Sequence, residues 1–309
     1  MQTINTLLAE SNSRVIRAEA EILLSHILNQ SRATIIATPQ QRVTDTDATT
    51  FRTLIARRMQ GEPLAYLTGT KEFYGRTFTV TPDVLIPRPE TEILVEHALV
   101  IAQKHSNTQK REPLIIVDVG TGSGAIIITL ATELAAHYTT HRCGFLATDI
   151  SIEALHIANN NARTFDVANQ IAFIKADLLT PLLTNGPLTR MLRLGAHLLI
   201  CANLPYVDSA QRTTLVERPE SRGLAFEPAE ALWADDNGLA LYNHLLTQLA
   251  NIRTIAPQAP LTVFCEIDPA QEYDLISRIH ALFPSAHTTP HPDLSGRTRL
   301  IEIMLHTQE

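Results

Sequence analysis

The sequence predicts an α/β protein whose main domain is a parallel sheet covered by helices on both faces. Two observations lead to this prediction. From Leu114 onward, short apolar runs typical of strands alternate with longer segments of helical periodicity. The first of these runs ends in a glycine-rich loop that opens a helix. With 309 residues, 45% of them apolar and 18% charged, the chain is long enough for two domains with buried cores.

Residues 1 to about 60 are predicted to be helical. In two segments, residues 19–28 and 51–59, apolar side chains recur at a spacing that places them on one helix face. Three arginines fall around the other side of the second helix: Arg52, Arg57 and Arg58. We expect them to form a solvated face, and a contact with RNA or with a protein is the alternative.

The periodicity changes after this helical region. Residues 72–80 are predicted to form two short strands that turn at Gly75. A helix is expected to begin at Pro89, because proline suits the first helical position and acidic residues follow it. It should run to about Gln103, and the polar residues 104–113 then form a linker.

The remaining elements follow the alternation that defines the fold class. The predicted strands are Leu114–Val119 and residues 144–149, 171–175, 197–201 and 261–266. The predicted helices are residues 125–137, 151–164, 237–252 and 269–282. Residues 286–290 and 298–306 are candidates for two further strands.

Composition argues against several classes of protein. Lysine and arginine number 25 against 32 aspartates and glutamates, and a net charge of −7 is unfavourable for gripping long stretches of nucleic acid. The odd count of cysteines, without a C-x-x-C pair, indicates neither a disulfide framework nor a zinc site, so Cys143, Cys201 and Cys265 are expected to be buried thiols. The twelve histidines include no H-E-x-x-H motif, and no metal is assigned. Without a membrane-length apolar run or a signal peptide at the start, we expect a cytoplasmic protein.

The glycine loop is the first candidate ligand site. Residues 118–124 read Asp-Val-Gly-Thr-Gly-Ser-Gly at the end of the first predicted strand of the sheet. Glycines allow a sharp turn and the close approach of a ligand, and open α/β sheets bind ligands at this edge. The motif alone is ambiguous, since Gly120, Gly122 and Ala125 also satisfy the dinucleotide fingerprint. A helix-capping turn without a ligand is a further alternative.

Acidic residues favour a methyltransferase cofactor over a dinucleotide. Asp118 precedes the loop as in the methyltransferase pattern D-x-G-x-G-x-G. Asp149, at the next strand end, lies 29 residues after Gly120, later than the about 20 expected for a dinucleotide ribose contact. Its carboxylate can accept hydrogen bonds from both ribose hydroxyls of a nucleoside, and Asp177 from an adenine amino group. Ordinary solvated aspartates are the alternative.

Residues 203–206, which follow the fourth predicted strand, carry the candidate chemistry. Their order, a polar residue, then x-Pro, then an aromatic residue, is typical of amino-methyltransferases. The acceptor is a planar NH2 group, and two oxygens must hold its hydrogens so that its lone pair faces the methyl group. The Asn203 side chain and the Leu204 carbonyl can do this. Pro205 restricts the backbone, and Tyr206 offers an aromatic face. The alternative is that residues 203–206 form a surface turn without a catalytic role.

Over nearly its whole length the chain resembles the release-factor glutamine N5-methyltransferases, the PrmC/HemK family. The most specific matches are residues 61–69, 72–75 and 84–96, and further matches are residues 118–124, 226–228, 236–239 and 293–297. The resemblance implies a Rossmann-like, seven-stranded, S-adenosylmethionine-dependent methyltransferase domain at residues 89–309. It also implies a small N-terminal helical domain at residues 1–70 that docks the substrate protein, and a β-hairpin linker at residues 71–88.

Members of that family methylate the glutamine of the Gly-Gly-Gln motif in class-1 peptide-chain release factors. The resemblance therefore implies release factors as partners, S-adenosylmethionine as methyl donor and S-adenosylhomocysteine as product. We expect a monomer without membrane contact, because nothing in the sequence requires otherwise. The residues that border the active site would include the segment 87–92, whose role is left open.

Site residues carry over by position. The expected cofactor contacts are Gly120, Thr121, Gly122, Ser123, Gly124, Asp149, Asp177, Leu178 and Asn203. The expected catalytic residues are Asn203, Pro205 and Tyr206, and together with Leu204 they would hold the glutamine amide. Glu217, Glu220 and Glu227 are expected to be surface charges, and His244 a packed or surface histidine.

The chain departs from the family pattern at several positions. Leu178 replaces a common aromatic residue, which implies a weaker contact with the cofactor. Leu204 replaces the usual proline, and Asn-Leu-Pro-Tyr is also the reading of ribosomal-RNA adenine dimethyltransferases. An adenine N6-methyltransferase acting on RNA or DNA, with a flipped base stacked on Tyr206, is therefore the alternative. It predicts a basic groove, which the composition does not favour. A dehydrogenase would leave residues 203–206 without a role. A binding module that has lost catalysis is also not favoured, because the glycine loop and residues 203–206 are intact.

Overall fold

The computed structural model describes residues 2–11, 15–106, 112–135 and 143–305. The helices in these ranges are α1 Ile4–Ser11, α2 Arg17–Leu28, α3 Arg32–Ala37, α4 Asp45–Met59, α5 Leu64–Thr68, α6 Glu92–Ser106, α7 Ala125–Leu134, α8 Ile152–Thr164, α9 Pro187–Arg193, α10 Arg212–Glu217, α11 Ala240–Ile255 and α12 Glu272–Leu282. The strands are β1 Gln2–Thr3, β2 Arg42–Val43, β3 Thr70–Phe73, β4 Arg76–Thr79, β5 Leu114–Val119, β6 Cys143–Asp149, β7 Ile171–Lys175, β8 His197–Ala202, β9 Val207–Asp208, β10 Trp233–Ala234, β11 Leu261–Glu266, β12 His287–Pro292 and β13 Thr298–Leu305.

The chain divides into two compact units. The helical unit contains Met1–Thr70, Val80–Pro82 and Thr214–Phe226. The sheet unit contains Lys71–Thr79, Asp83–Thr213 and Glu227–Glu309.

In the helical unit, apolar faces of the helices meet in one core. Leu23 of α2 and Phe51 of α4 are fully or almost fully buried in it, as the helical spacing predicts. The three arginines of α4 each meet a carboxylate: Arg52 pairs with Glu10, Arg57 with Glu62 and Arg58 with Glu19. These cations are therefore neutralised within the unit, and they do not form an unpaired basic patch.

The sheet unit contains a seven-stranded sheet in the order β12-β13-β11-β8-β5-β6-β7. Strands β5, β6, β7, β8 and β11 are parallel to one another. Strand β13 is antiparallel to β11, and the edge strand β12 is antiparallel to β13, so β13 is the reversed strand of this sheet. Alternate residues of β5 face opposite cores: Ile115 and Val117 pack with side chains of α11, whereas Leu114 and Ile116 pack with those of α6 and α7. Helices therefore cover both faces, which confirms the predicted α/β class.

Local backbone geometry explains why helix α11 begins later than its sequence pattern predicts. Helix α11 was expected from residue 237 and begins at Ala240. Asp236, Asn237 and Gly238 have φ angles of 58°, 55° and 83°, in the left-handed region that a right-handed helix excludes. The predicted end of α7 at residue 137 lies outside the described residues, as does residue 306 at the end of the last predicted strand.

The hairpin and the cysteines agree with their predictions. β3 and β4 form the predicted two-stranded hairpin, with Gly75 in the left-handed region at the turn. Cys143, Cys201 and Cys265 are free and buried. Within the described ranges, no helix is both long enough and apolar enough to cross a bilayer.

Candidate active site

The glycine loop connects β5 to α7 and is tied to the neighbouring strand. The amides of Gly120 and Thr121 both donate to the Thr148 carbonyl, at 2.8 and 3.0 Å. Asp118, in β5, is fully buried, and its Oδ2 accepts a hydrogen bond of 2.6 Å from the Thr121 hydroxyl. Burial raises the pKa of the Asp118 carboxyl to about 7. The hydrogen bond between Asp118 and Thr121 therefore holds the start of the loop in place.

The three glycines of the loop have positive φ angles, and a Cβ added at each would meet different surroundings. A Cβ at Gly124 would lie 2.7 Å from Ile128 Cδ1 and 3.1 Å from Ala158 Cβ, so this glycine allows close helix packing. A Cβ at Gly120 would lie 3.2 Å from Leu204 Cδ2. At Gly122 a Cβ would meet no atom within 4 Å, and this glycine borders open space. Gly122 is therefore the position at which a ligand can approach the backbone.

Asp149 ends β6 with its carboxylate held in place by backbone amides. Oδ2 accepts from the Gly122 amide and Oδ1 from the Ser151 amide, both at 2.9 Å. Burial raises the pKa of this carboxyl, and the hydrogen bonds from the backbone oppose that effect. Each carboxylate oxygen can still accept a second hydrogen bond. The arrangement is that of a fixed acceptor beside the glycine loop.

One cleft brings most of the predicted residues together at the carboxyl ends of β5, β6, β7 and β8. Its empty volume is about 770 Å³, which includes space open to solvent. The predicted residues that line it are Gly120, Gly122, Asp149, Asp177, Leu178, Asn203, Leu204 and Pro205. The other four predicted residues, Thr121, Ser123, Gly124 and Tyr206, lie in the same two segments of the chain but do not line the cleft.

Other lining residues were not identified from the sequence. They are Asp83, Val84, Leu85, Ile150, Ser151, Ala154, Ala176, Pro228, Glu230, Ala231 and Leu241. Ile150 had a usable sequence signal, because it directly follows the acidic residue at a strand end. In the structure it is 65% exposed. The residues around Val84 and Pro228 belong to segments that match the family pattern, but they are distant in sequence from the sheet edge, so no local pattern assigned them to the cleft.

A buried glutamine shapes the turn that follows β7. Leu178 has a φ of 49°, which is unusual for a residue with a side chain. The side chain of Gln248, in α11, accepts from the Leu179 amide at 2.6 Å and donates to the Asp177 carbonyl at 3.3 Å. His244 Nδ1 lies 3.7 Å from Asp177 Oδ1. These contacts fix the turn that brings Asp177 and Leu178 to the cleft.

Asn203, the first residue after β8, is oriented by a threonine. Its Nδ2 donates to the hydroxyl of Thr91 at 3.0 Å. Among the described residues, Asn203 Oδ1 has no hydrogen-bond partner. Asn203 lines the cleft, so this oxygen is available as an acceptor. The segment 87–92 thus contributes to the site through Thr91, a contact that the sequence left open.

Tyr206 is held from two sides. Its carbonyl accepts a hydrogen bond of 2.8 Å from Gln271 Nε2, and its hydroxyl donates to Glu266 Oε1 at 3.3 Å. Burial, and secondly the charge of Glu266, raise the pKa of the Tyr206 hydroxyl. Glu266 itself is 1% exposed, and burial raises its pKa to about 7. Tyr206 is therefore a neutral, positioned ring.

The expectation that Glu227 is a surface charge is wrong. Its side chain is 2% exposed, and its carboxylate accepts from Arg88 Nη2 at 2.5 Å and from the Ile86 amide at 3.0 Å. A buried carboxylate requires such partners. Glu227 thereby anchors the segment that carries Val84 and Leu85 to the cleft. Glu217 is exposed, as expected, and the side chain of Glu220 lies outside the described residues.

In the part of the chain that the structure describes, no three His, Cys, Asp or Glu side chains are grouped to hold a metal ion.

Comparison with known proteins identifies relatives over most of the chain. Residues 1–69 match the family described as PrmC N-terminal domain. The release factor glutamine methyltransferase of Nitratidesulfovibrio vulgaris is 40% identical over 77% of this chain and 74% of its own length. The protein of the same name from Bacillus anthracis is 31% identical over 91% of this chain and 90% of its own length. The Escherichia coli protein of that name is 34% identical over 76% of this chain and 74% of its own length.

The similarity of this chain to solved structures concerns the fold alone. The catalytic domain of human METTL16, in complex with a MAT2A 3′UTR hairpin, has a TM-score of 0.51 and 16% identity, and covers 86% of this chain and 83% of that chain. The curated relatives, by contrast, share both sequence and length with this protein. The chain therefore belongs to the release factor glutamine methyltransferase family.

Proposed function

We propose that this protein transfers a methyl group from S-adenosylmethionine to the side-chain amide nitrogen, N5, of the glutamine in the Gly-Gly-Gln motif of class-1 peptide-chain release factors. The observation that carries the proposal is the orientation of the Asn203 side chain. Its NH2 donates a hydrogen bond to Thr91, and its Oδ1 is available at the cleft. The names and extents of the curated relatives support the same substrate class.

The donor set of the cleft fits S-adenosylmethionine. The Asp149 carboxylate, fixed by two amides, suits the two hydroxyls of a ribose. Gly122 leaves space beside that carboxylate for the close approach of a ligand. We assign Ile150 and Leu178 to apolar contact with the adenine, and Asp177 to its amino group. Gly120, Thr121, Ser123 and Gly124 maintain the shape of the loop.

The acceptor geometry is supplied by the chain. When bound, S-adenosylmethionine supplies a methyl group carried by a sulfonium sulfur. Asn203 Oδ1 and the Leu204 carbonyl would accept the two hydrogens of the glutamine NH2, so that the nitrogen lone pair faces the methyl carbon. In the transfer, the new C–N bond would form as the C–S bond breaks with its electron pair left on sulfur, and the nitrogen would release one proton to water. Leu204 supplies the same carbonyl as the usual proline, and Pro205 and Tyr206 hold the loop and the planar amide.

The remaining expectations are part of the same proposal. Residues 1–70 dock the release factor, residues 71–88 form a hairpin linker and residues 89–309 carry the catalysis. We expect a cytoplasmic monomer that needs no metal. The match of residues 1–69 to the PrmC N-terminal domain supports the assignment of the helical region.

A methyl-transfer assay with labelled S-adenosylmethionine tests the proposal. A purified class-1 release factor and, separately, ribosomal RNA are offered, and the product is mapped by fragment mass spectrometry. We expect one added methyl on the Gly-Gly-Gln glutamine, lost in Asn203→Ala and retained in Tyr273→Ala, whose side chain is 82% exposed on α12. Methylated adenine with an unmodified release factor would overturn the proposal in favour of an RNA substrate.

A further inference from the structure

A buried glutamine connects the loop of residues 203–206, here called the acceptor loop, to the turn before α11. Gln271 follows β11 and is 6% exposed. Its Nε2 donates to two backbone carbonyls, to that of Tyr206 at 2.8 Å and to that of Asn237 at 2.7 Å. An amide NH2 has two hydrogens, so both are used here. One side chain therefore holds together two carbonyl groups that would otherwise repel each other.

The orientation of the Gln271 amide is fixed by the backbone. Its Oε1 accepts from the Asp268 amide at 3.0 Å, and the Asp268 carboxylate accepts from the Ala270 amide at 2.9 Å. These contacts form a capping box in the segment that leads into α12. A backbone N–H can only donate and a carbonyl can only accept, so a flipped Gln271 amide would lose all three of its hydrogen bonds. The NH2 is thus directed towards Tyr206.

We propose that Gln271 is a positioning residue for methyl transfer, which holds the Tyr206 carbonyl so that the Leu204 carbonyl and the Tyr206 ring are in place for the acceptor amide. This inference rests on the proposed function, because it concerns the loop that would hold the substrate glutamine. Gln271 does not line the cleft and acts through the backbone of the acceptor loop.

A second buried glutamine provides a matched comparison. Gln248 is 3% exposed, and its side chain holds the turn at residues 177–179 by accepting from one backbone amide and donating to one backbone carbonyl. We have assigned that turn to the adenine of the cofactor, whereas Gln271 holds the loop assigned to the acceptor amide. Removing the donor from each glutamine should therefore affect a different step.

Methionine replaces either glutamine with a flexible side chain of similar length that cannot donate a hydrogen bond. Gln271→Met should lower kcat for methylation of a class-1 release factor by roughly ten- to hundredfold, the cost of a small misplacement near the reacting atoms, with the affinity for S-adenosylmethionine unchanged. Gln248→Met should instead weaken S-adenosylmethionine binding by roughly tenfold, as expected for a buried hydrogen bond. Isothermal titration calorimetry measures the affinity. Equal weakening of S-adenosylmethionine binding in the two variants, or a fully active Gln271→Met, would overturn the inference.

Gln271→Glu separates the loss of the hydrogen bond from a loss of packing. Its ionised carboxylate cannot donate to Tyr206 or Asn237, whereas the protonated carboxyl can donate to one of them. The ratio of its kcat to that of the wild type should therefore rise as the pH is lowered. The same ratio for Gln271→Met should stay constant, because methionine cannot donate at any pH. A constant ratio in both variants would refute the role of the donated hydrogen bond.

Trp233, the one tryptophan of the sequence, gives a readout that needs no substrate. It pairs with Val207, the residue after Tyr206, in the short sheet of β9 and β10. Its fluorescence emission should shift in Gln271→Met and stay as in the wild type in Gln248→Met. A shift of this kind in a protein that methylates no release factor would refute the proposed function, while Gln271 would still be shown to hold the loop. Methylation by the wild type, with unshifted emission and full activity in Gln271→Met, would refute the inference and keep the function.

Discussion

The backbone of Gly238 lies directly against the carbonyl oxygen of Tyr206. A Cβ built at Gly238 would be 2.0 Å from that oxygen and 2.4 Å from Gln271 Nε2, which donates to it. Gly238 also has a φ of 83°, which residues with side chains rarely adopt. The turn before α11 and residues 203–206 are therefore in contact through a position that only glycine fits.

Gly238→Ala should displace Tyr206 and lower kcat/KM for methyl transfer by at least about tenfold, because small misplacements of a catalytic group are costly. Gly296→Ala is the matched control, since Gly296 has a similar φ of 80° but open space around its Cβ. It should lose only about 1 kcal/mol of unfolding free energy and keep full activity. Equal kinetics in the two variants would refute the role of this contact.

Asp149→Asn should weaken S-adenosylmethionine binding roughly ten- to hundredfold, the effect of losing a hydrogen bond to a charged acceptor. The asparagine NH2 cannot accept from Gly122 or Ser151, so it also loosens the loop. Asp177→Asn is the comparison, because the Asp177 side chain is 49% exposed and should contribute less. Isothermal titration calorimetry measures both, and an unchanged affinity in Asp149→Asn would contradict the assignment.

Glu227→Gln should lower the unfolding free energy by roughly 2 kcal/mol, since it weakens a buried ion pair with Arg88. Glu10→Gln removes one partner of an exposed pair, in which the side chains of Glu10 and Arg52 are 43% and 42% exposed. It should cost less than about 1 kcal/mol. Urea denaturation compares them, and a Glu227→Gln variant no less stable than Glu10→Gln would show that the buried pair contributes little.

The stability of the protein should depend on His197 in acid. Burial lowers its pKa to about 4, from about 6.5 in an unfolded chain. Because the unfolded chain binds the proton more tightly, this contribution to stability is complete above about pH 6.5 and is lost as the pH falls from there towards 4. The loss over this window is roughly 3 kcal/mol.

His197→Asn should remove this part of the acid dependence, whereas His280→Asn, on the exposed end of α12, should leave it as in the wild type. Urea denaturation of the three proteins at several pH values between neutrality and the pKa of His197 provides the comparison. Parallel curves for the wild type and His197→Asn would mean that His197 is not the group that titrates.

Much of the sheet unit follows from local sequence. The runs that form β5, β7 and β11 are apolar enough to be recognised as strands, and they begin and end where their patterns predict. Since the carboxyl ends of parallel strands share one edge, the sequence predicts that Asp149 and Asn203 lie at one cleft, and both line it in the structure. The family resemblance of residues 84–96 supplied the substrate class.

Other parts of the site depend on contacts between residues far apart in the chain. Thr91 and Asn203 are separated by 112 positions, and Glu227 and Ile86 by 141. No periodicity of a helix or strand indicates such pairs. The burial of Glu227 therefore could not be predicted from its neighbours, although residues 226–228 match the family pattern.

The sequence alone therefore determined the order of the elements, the glycine loop and the residue types that can hold a nucleoside and a planar amide. These depend on backbone preferences and side-chain chemistry, which are properties of neighbouring residues. Only the tertiary structure decided which way Asn203 points, which carboxylates are buried and which glycine leaves space for a ligand. Those features depend on hydrogen bonds and packing between distant segments, and they exist only once the chain has folded.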